Sequence, residues 1–213
     1  MRVDRLRIQS VAFTETHLAL TLAGGKAVRG SLRRHNLLDL SAAQRADAAV
    51  SDDGLHVHWA VPGGRGTGIT VDACMLAWDN ICENALAQLA DAGWKLDAVP
   101  PRIQQIAALW RLEADGYNGG FMQFFCNWGE GNCAVALQAL LEIGASATHA
   151  VVSRQRAVLE RLDGHPELKS YEDIHALLTE AERVLIGDEL DPALWDAAEE
   201  IPLLAADFYF DEL

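Results

Sequence analysis

YNGGFMQFFCNWGEGN, residues 117–132, carries the most distinctive pattern in this chain. Asn118 leads into Gly119 and Gly120, a pair free to take positive φ or to make a tight entry into a helix. Phe121, Phe124 and Phe125 follow at i, i+3 and i+4, so they share one helix face and should anchor a core. Gln123 and Asn127 are also four apart and share a second face, where two amides can hold backbone groups or a ligand. Gly129 and Gly131 close the segment.

Outward from this stretch the pattern stays helical. Apolar spacing predicts helices near 102–114, 119–128, 133–143, 146–162, 170–186 and 191–207, with Pro192 able to start the last and Pro202 to kink or split it. Upstream, Val71, Cys74, Met75, Trp78, Cys82, Ala85, Leu86 and Leu89 form one helical stripe that Gly93 stops, and Pro100-Pro101 marks a break. The first 70 residues read differently. LRIQSVAF (6–13), HLALTL (17–22) and KAVRGSL (26–32) have strand length, and Gly24-Gly25 signals a two-residue hairpin. Ser41 is placed to cap SAAQRADAA, and Asp52-Asp53-Gly54 turns into LHVHWAV (55–61), where Leu55, Val57 and Trp59 face opposite to His56 and His58. The fold class is therefore α+β: a small β-rich N-terminal domain (1–78), a helix and linker (79–99), and an all-helical C-terminal domain (100–213).

Composition narrows the function. Of 213 residues, 50% are hydrophobic and 23% charged, which suits a soluble globular protein. No apolar stretch reaches bilayer length and no apolar region follows the basic N-terminus, so a cytoplasmic location is expected. Cys74, Cys82, Cys126 and Cys133 contain no C-x-x-C pair and read as reduced, mostly buried thiols. The net charge of −14 is lopsided. Residues 163–213 hold 2 basic and 15 acidic side chains, a net of −13, whereas 1–99 sum to −1 and 100–162 to zero. That segment should bind neither nucleic acid nor an anionic membrane directly, and a partner for it should be basic.

The N-G-G-F-x-Q-F-F-x-N pattern at 118–127, followed by LQALLEIGA (137–145), resembles the acidic bacterial DNA-mimic domain family over roughly residues 100–213. The resemblance implies an all-helical, often dimeric fold without catalytic activity, whose acidic side chains stand in for duplex phosphates and occupy a DNA-binding protein. The chain departs from the family's Glu-Val-x-Asn-Gly-Gly lead-in, with Glu113-Ala114-Asp115-Gly116-Tyr117-Asn118 in its place. At the other end, Leu40, Ala43, Gln44-Arg45 and Val57-His58-Trp59 make residues 5–76 similar to a small bacterial domain of unknown function with antitoxin-like members. Where those relatives carry an acidic run, this chain has GGRGTG (63–68).

Charge density sets a condition on mimicry. Residues 163–213 as one helix would span about 77 Å, which puts one net charge every ~6 Å against one per ~1.7 Å for duplex DNA. Helices side by side, or a homodimer, would close most of that gap. The acids expected to form the face are Glu172, Asp173, Glu180, Glu182, Asp188, Glu189, Asp191, Asp196, Glu199 and Glu200. Phe121, Phe124 and Phe125 would hold the fold, with Asn118, Gly119, Gly120, Gln123 and Asn127 fixing the turn. Neither His56-x-His58 nor Arg65 in the glycine loop completes a metal or phosphate motif, and no nucleophile elbow or zincin motif is present. The expectation is a non-enzymatic binding protein that needs no cofactor and no metal, with a basic DNA-binding protein as partner. Two alternatives stand beside it: an antitoxin or immunity-type protein gripping a toxin-like partner, and a ligand binder or enzyme with a pocket near Gln123 and Asn127.

Overall fold

Leu18, Leu20 and Leu22 alternate along one strand and are fully buried, which is what the period-two pattern of HLALTL requires. The computed structural model describes residues 3–60 and 68–213, so Arg65 and most of the glycine loop lie outside the described residues. Strands β1 (Ile8–Phe13), β2 (His17–Leu22) and β3 (Ala27–Ser31) form an antiparallel meander, with Leu20 opposite Val28 and Leu18 opposite Gly30. The β2–β3 loop has three residues, Ala23–Gly25, rather than the two expected. Leu22 N–H donates to Lys26 O at 2.8 Å, and Gly25 at φ 81° supplies the left-handed third position of such a loop.

A second antiparallel sheet contains β4 (Ala49–Val50), β5 (His56–Trp59) and β6 (Ile69–Asp72). Val57 and Trp59 point inward and are at most 1% exposed, and Trp59 Nε1 donates to Arg45 O at 3.0 Å. Before that sheet, α1 (Ala42–Ala46) starts with a complete capping box between Ser41 and Gln44. The helical stripe expected from Val71 begins later. Val71 pairs with Val57 in β6, and α2 (Ala73–Asp91) starts only where Asp72 Oδ1 accepts from Cys74 N–H at 2.6 Å and Met75 N–H at 3.2 Å. A short strand ending in a capping Asp shares its apolar residues with the helix it launches, and this hides the junction in the spacing.

The chain divides into two compact units, Met1–Asn84 with Pro202–Leu213, and Ala85–Ile201. The expected boundaries assigned 202–213 to the helical domain; these residues cluster instead with the strands. Arg5 pairs with Asp207 at 3.2 Å and lies over the Phe210 ring at 4.7 Å, and Lys26 Nζ donates to Leu213 O at 2.8 Å. Tyr209 is fully buried and stacks on Trp78 at 6.4 Å between ring centroids.

The second unit is helical throughout, as expected. Its long helix α3 (Pro101–Ile143) is interrupted at Gly119, Gly120 and Gly129, which gives three helical stretches in place of one rod. Then come α4 (Ser146–Leu159), α5 (Ile174–Leu177), α6 (Glu180–Val184), a π-helical turn over Leu185–Leu190, and α7 (Asp191–Ala198). The helix expected over 170–186 is broken at Leu178, whose ψ of 136° is extended, because Thr179 and Glu182 form a capping box that restarts the chain. The helix expected over 191–207 is split near Pro202: α7 ends at Ala198 and α8 (Ile201–Phe208) carries on. Among the described residues no helix is long and apolar enough to cross a membrane, and the four cysteines are unbridged.

Candidate protein-binding face and the motif behind it

Gly120 has φ 75° and ψ −175°, a region open in practice to glycine alone. The break it makes leaves Phe121 N–H without an acceptor in its own helix. Asp191, seventy residues on, supplies one: Oδ1 accepts from Phe121 N–H at 2.9 Å and from Gln155 Nε2 at 2.8 Å. A Cβ on Gly120 would lie 2.1 Å from the Asp191 carboxylate, so the motif needs glycine for space as well as for φ. Burial raises the Asp191 pKa, with these two hydrogen bonds opposing the rise.

Phe121, Phe124 and Phe125 are at most 4% exposed and meet at centroid separations of 6.2 and 5.6 Å, so the expected aromatic anchor is present. The two amides brace the glycine turn through a side chain. Gln123 Nε2 donates to Asp115 Oδ1 at 2.9 Å, and Asn127 Nδ2 donates to Asp115 Oδ2 at 3.0 Å. Trp128 Nε1 joins them on Oδ2 at 2.7 Å, while Asn118 Nδ2 donates to Gln123 Oε1 at 3.1 Å. The amides therefore hold a carboxylate of the preceding helical stretch and not backbone groups. Arg111, 2% exposed, stacks on the Trp128 ring at 3.8 Å and donates to Asn132 Oδ1 at 2.6 Å. Burial lowers its pKa, and the charge of Asp115 opposes that. Asp115 is the hub that sequence reading missed. Its one available signal was its place in the lead-in where the family pattern fails.

The ten acids expected on one face separate into two groups. Four of them hold the fold. Asp191 caps the motif. Asp173 Oδ2 accepts from Lys169 and Ser170 N–H, each at 2.8 Å, and these bonds lower its pKa. Glu182 pairs with Arg161 at 2.5 Å and accepts from Thr179 N–H at 2.7 Å; the Arg161 contact leads in pulling its pKa down to about 2. Glu200 Oε1 accepts from the Thr148 hydroxyl at 3.0 Å, and Thr148 is fully buried. Of the exposed remainder, Glu180 pairs with Arg183 at 3.1 Å. Glu172, Asp188, Glu189, Asp196 and Glu199, together with Glu167, are exposed and form no ion pair among the described residues.

The last helices of the unit expose these charges by burying the opposite side. Leu190, Leu194, Ala198 and Ile201 repeat at i+4, i+8 and i+11 and are at most 4% exposed, which turns Glu189, Asp196 and Glu199 outward. There Tyr117 and Trp195 are 47% and 40% exposed. The Tyr117 hydroxyl donates to Trp195 O at 3.2 Å, and Trp195 Nε1 donates to Gly116 O at 2.7 Å. Burial first, then the charges of Glu113, Glu199 and Asp196, raise the Tyr117 pKa.

The division into units also redistributes charge. The helical unit carries 19 acidic and 8 basic side chains, a net of −11, and the N-terminal unit 12 and 9, a net of −3. Three acids of the −13 segment, Asp207, Asp211 and Glu212, belong to the N-terminal unit. Comparison with curated proteins and with solved structures finds no match. A protein-family model, DMP19-like protein, matches residues 97–212. The match begins after the antitoxin-like resemblance at 5–76 and carries nothing about it. It takes in the glycine breaks, the Asp115 hub, the Asp191 cap and all ten acids expected on the face, and by it the chain belongs to the DMP19-like protein family.

Proposed function

We propose that the helical unit works as a DNA mimic, presenting exposed carboxylates to the DNA-binding surface of a basic protein. The observation that carries this reading is the set of exposed acids without ion pairs among the described residues, Glu167, Glu172, Asp188, Glu189, Asp196 and Glu199, on a unit of net charge −11. Unpaired surface carboxylates keep their full charge for a partner, whereas Glu182 and Asp191 are already engaged by groups of their own fold. Such charges steer association and select against acidic partners more than they add affinity. Pairing of two copies would bring the charge density closer to that of a duplex. The protein acts by binding, not by catalysis.

The test is a comparison of two quadruple variants against a captured basic partner at low salt. Reversal to Lys at Glu172, Asp188, Glu189 and Glu199 is expected to abolish binding with the fold retained. Neutralisation at Asp173, Glu182, Asp191 and Glu200 is expected to destabilise the helices, with any binding that remains still screened by salt. Unchanged binding by the reversed variant would refute the proposal. Binding that persists in high salt and maps to residues 1–84 would favour the antitoxin-like alternative instead.

A further inference from the structure

A cavity of about 320 Å³ lies in the N-terminal unit, within the range of small-molecule sites. Strand β2 contributes His17, strand β3 contributes Arg29 and Gly30, the following turn contributes Arg34 and His35, and α2 contributes Asp79, Asn80 and Glu83. Its frame is tied together. Asn80 Oδ1 accepts from Arg29 N–H at 2.9 Å and Nδ2 donates to Arg29 O at 2.9 Å, so a helix side chain pairs with the free edge of β3. The His35 ring packs on Gly30, where a Cβ would lie 2.4 Å from Nε2, and that nitrogen is buried without a hydrogen-bond partner.

The charges of the lining do not all cancel internally. Arg34 and Asp79 pair at 3.2 Å. Arg29 and Glu83, both exposed at the rim, have no ion pair among the described residues. Burial and the Arg34 charge lower the His35 pKa against the charge of Asp79, which favours the neutral, hydrogen-bonding imidazole. The Thr16 hydroxyl meets His17 Nδ1 at 2.8 Å, which leaves Nε2 available. One unpaired cation and one unpaired anion on a single cavity, with imidazoles in its wall, match a molecule that carries both charges. We propose that this cavity binds a small zwitterion of amino-acid to dipeptide size, with its carboxylate on Arg29 and its ammonium on Glu83. The site belongs to the N-terminal unit and stands whether or not mimicry does.

The test is calorimetric titration of the full-length protein with the proteinogenic amino acids and simple dipeptides, with inorganic phosphate as comparator. Saturable binding at millimolar concentration or tighter is expected for at least one zwitterion. Its N-acetylated and carboxamide forms should each bind about tenfold more weakly, as the loss of a charged hydrogen bond predicts. Arg29→Gln should erase the preference for the free carboxylate, and Glu83→Gln the preference for the free amine. Both side chains are exposed, so thermal melts of the variants should match the parent, and the blocked ligands test the wild type without any substitution. No saturable binding by any zwitterion, equal binding of the blocked forms, or binding by phosphate alone would overturn the proposal.

Discussion

Replacing Asp191 by Ala separates a structural carboxylate from a partner-facing one. Two donors lose their acceptor: Phe121 N–H at the glycine break, and the side-chain amide of Gln155, which is fully buried. A lost helix cap costs about 0.5–2 kcal/mol, and a buried amide left without its acceptor about 1–3 kcal/mol. The expected loss is therefore about 2–4 kcal/mol. Asp191→Asn keeps an oxygen at the Oδ1 position and removes a carboxylate whose charge burial disfavours. It should stay within about 1 kcal/mol of the parent, because both hydrogen bonds survive. Asp196→Ala, at an exposed acid with no ion pair among the described residues, should change stability by less than about 0.5 kcal/mol. The assay is urea denaturation followed by tryptophan fluorescence and circular dichroism. The Asp191 pKa is raised in the fold above its unfolded value of 3.8. Its contribution is thus most favourable below pH 3.8 and falls as pH rises through the folded pKa, so the parent should gain on Asp191→Asn toward acid. An Asp191→Ala variant no less stable than Asp196→Ala would refute the capping role.

Three further outcomes are expected. Gly120→Ala places a Cβ on the Asp191 carboxylate in a glycine-only conformation, and should lose about 3 kcal/mol or more in the same denaturation assay. Glu182→Gln should cost about 1 kcal/mol at neutral pH, discounted for its partial exposure. Because the Glu182 pKa lies near 2 against an ordinary 4.5, its stabilisation is present above pH 4.5 and lost as pH falls toward 2. The variant should then show a shallower acid limb in stability against pH. Arg5→Ala removes the Asp207 pair and the cation over Phe210, and should cost about 1–2 kcal/mol. Limited proteolysis should then cut within 202–213 faster than in the parent.

Much of this fold could be read from local signals. Three strands, the Ser41 cap, the phenylalanine face and the split at Pro202 each follow from spacing or from a single residue's chemistry. The Thr179–Glu182 box that breaks the expected 170–186 helix was also legible, since Thr-x-x-Glu is a helix-start signature, but an apolar period running through it concealed it. The return of 202–213 to the strand unit was not legible. Ala205, Ala206, Tyr209 and Phe210 are buried, but their apolar character does not indicate which core receives them. The same limit applies to the site. Asp191 and Asp196 are both acids of one helix, and only the tertiary neighbours Phe121 and Gln155 distinguish the cap from the exposed charge. The role of Asp115 is hidden for the same reason, since its donors lie eight, twelve and thirteen residues away across a helix break and its place in the departing lead-in names none of them.

The most direct test of the account is affinity capture on the immobilised full-length protein, eluted first with duplex DNA and then with stepped salt. A DNA mimic should capture a basic DNA-binding protein that DNA displaces, that leaves between about 0.1 and 0.5 M salt as exposed charges are screened, and that the variant reversed at Glu172, Asp188, Glu189 and Glu199 fails to capture. Capture of the same protein by the reversed variant, or a partner that neither DNA nor salt removes, would contradict it.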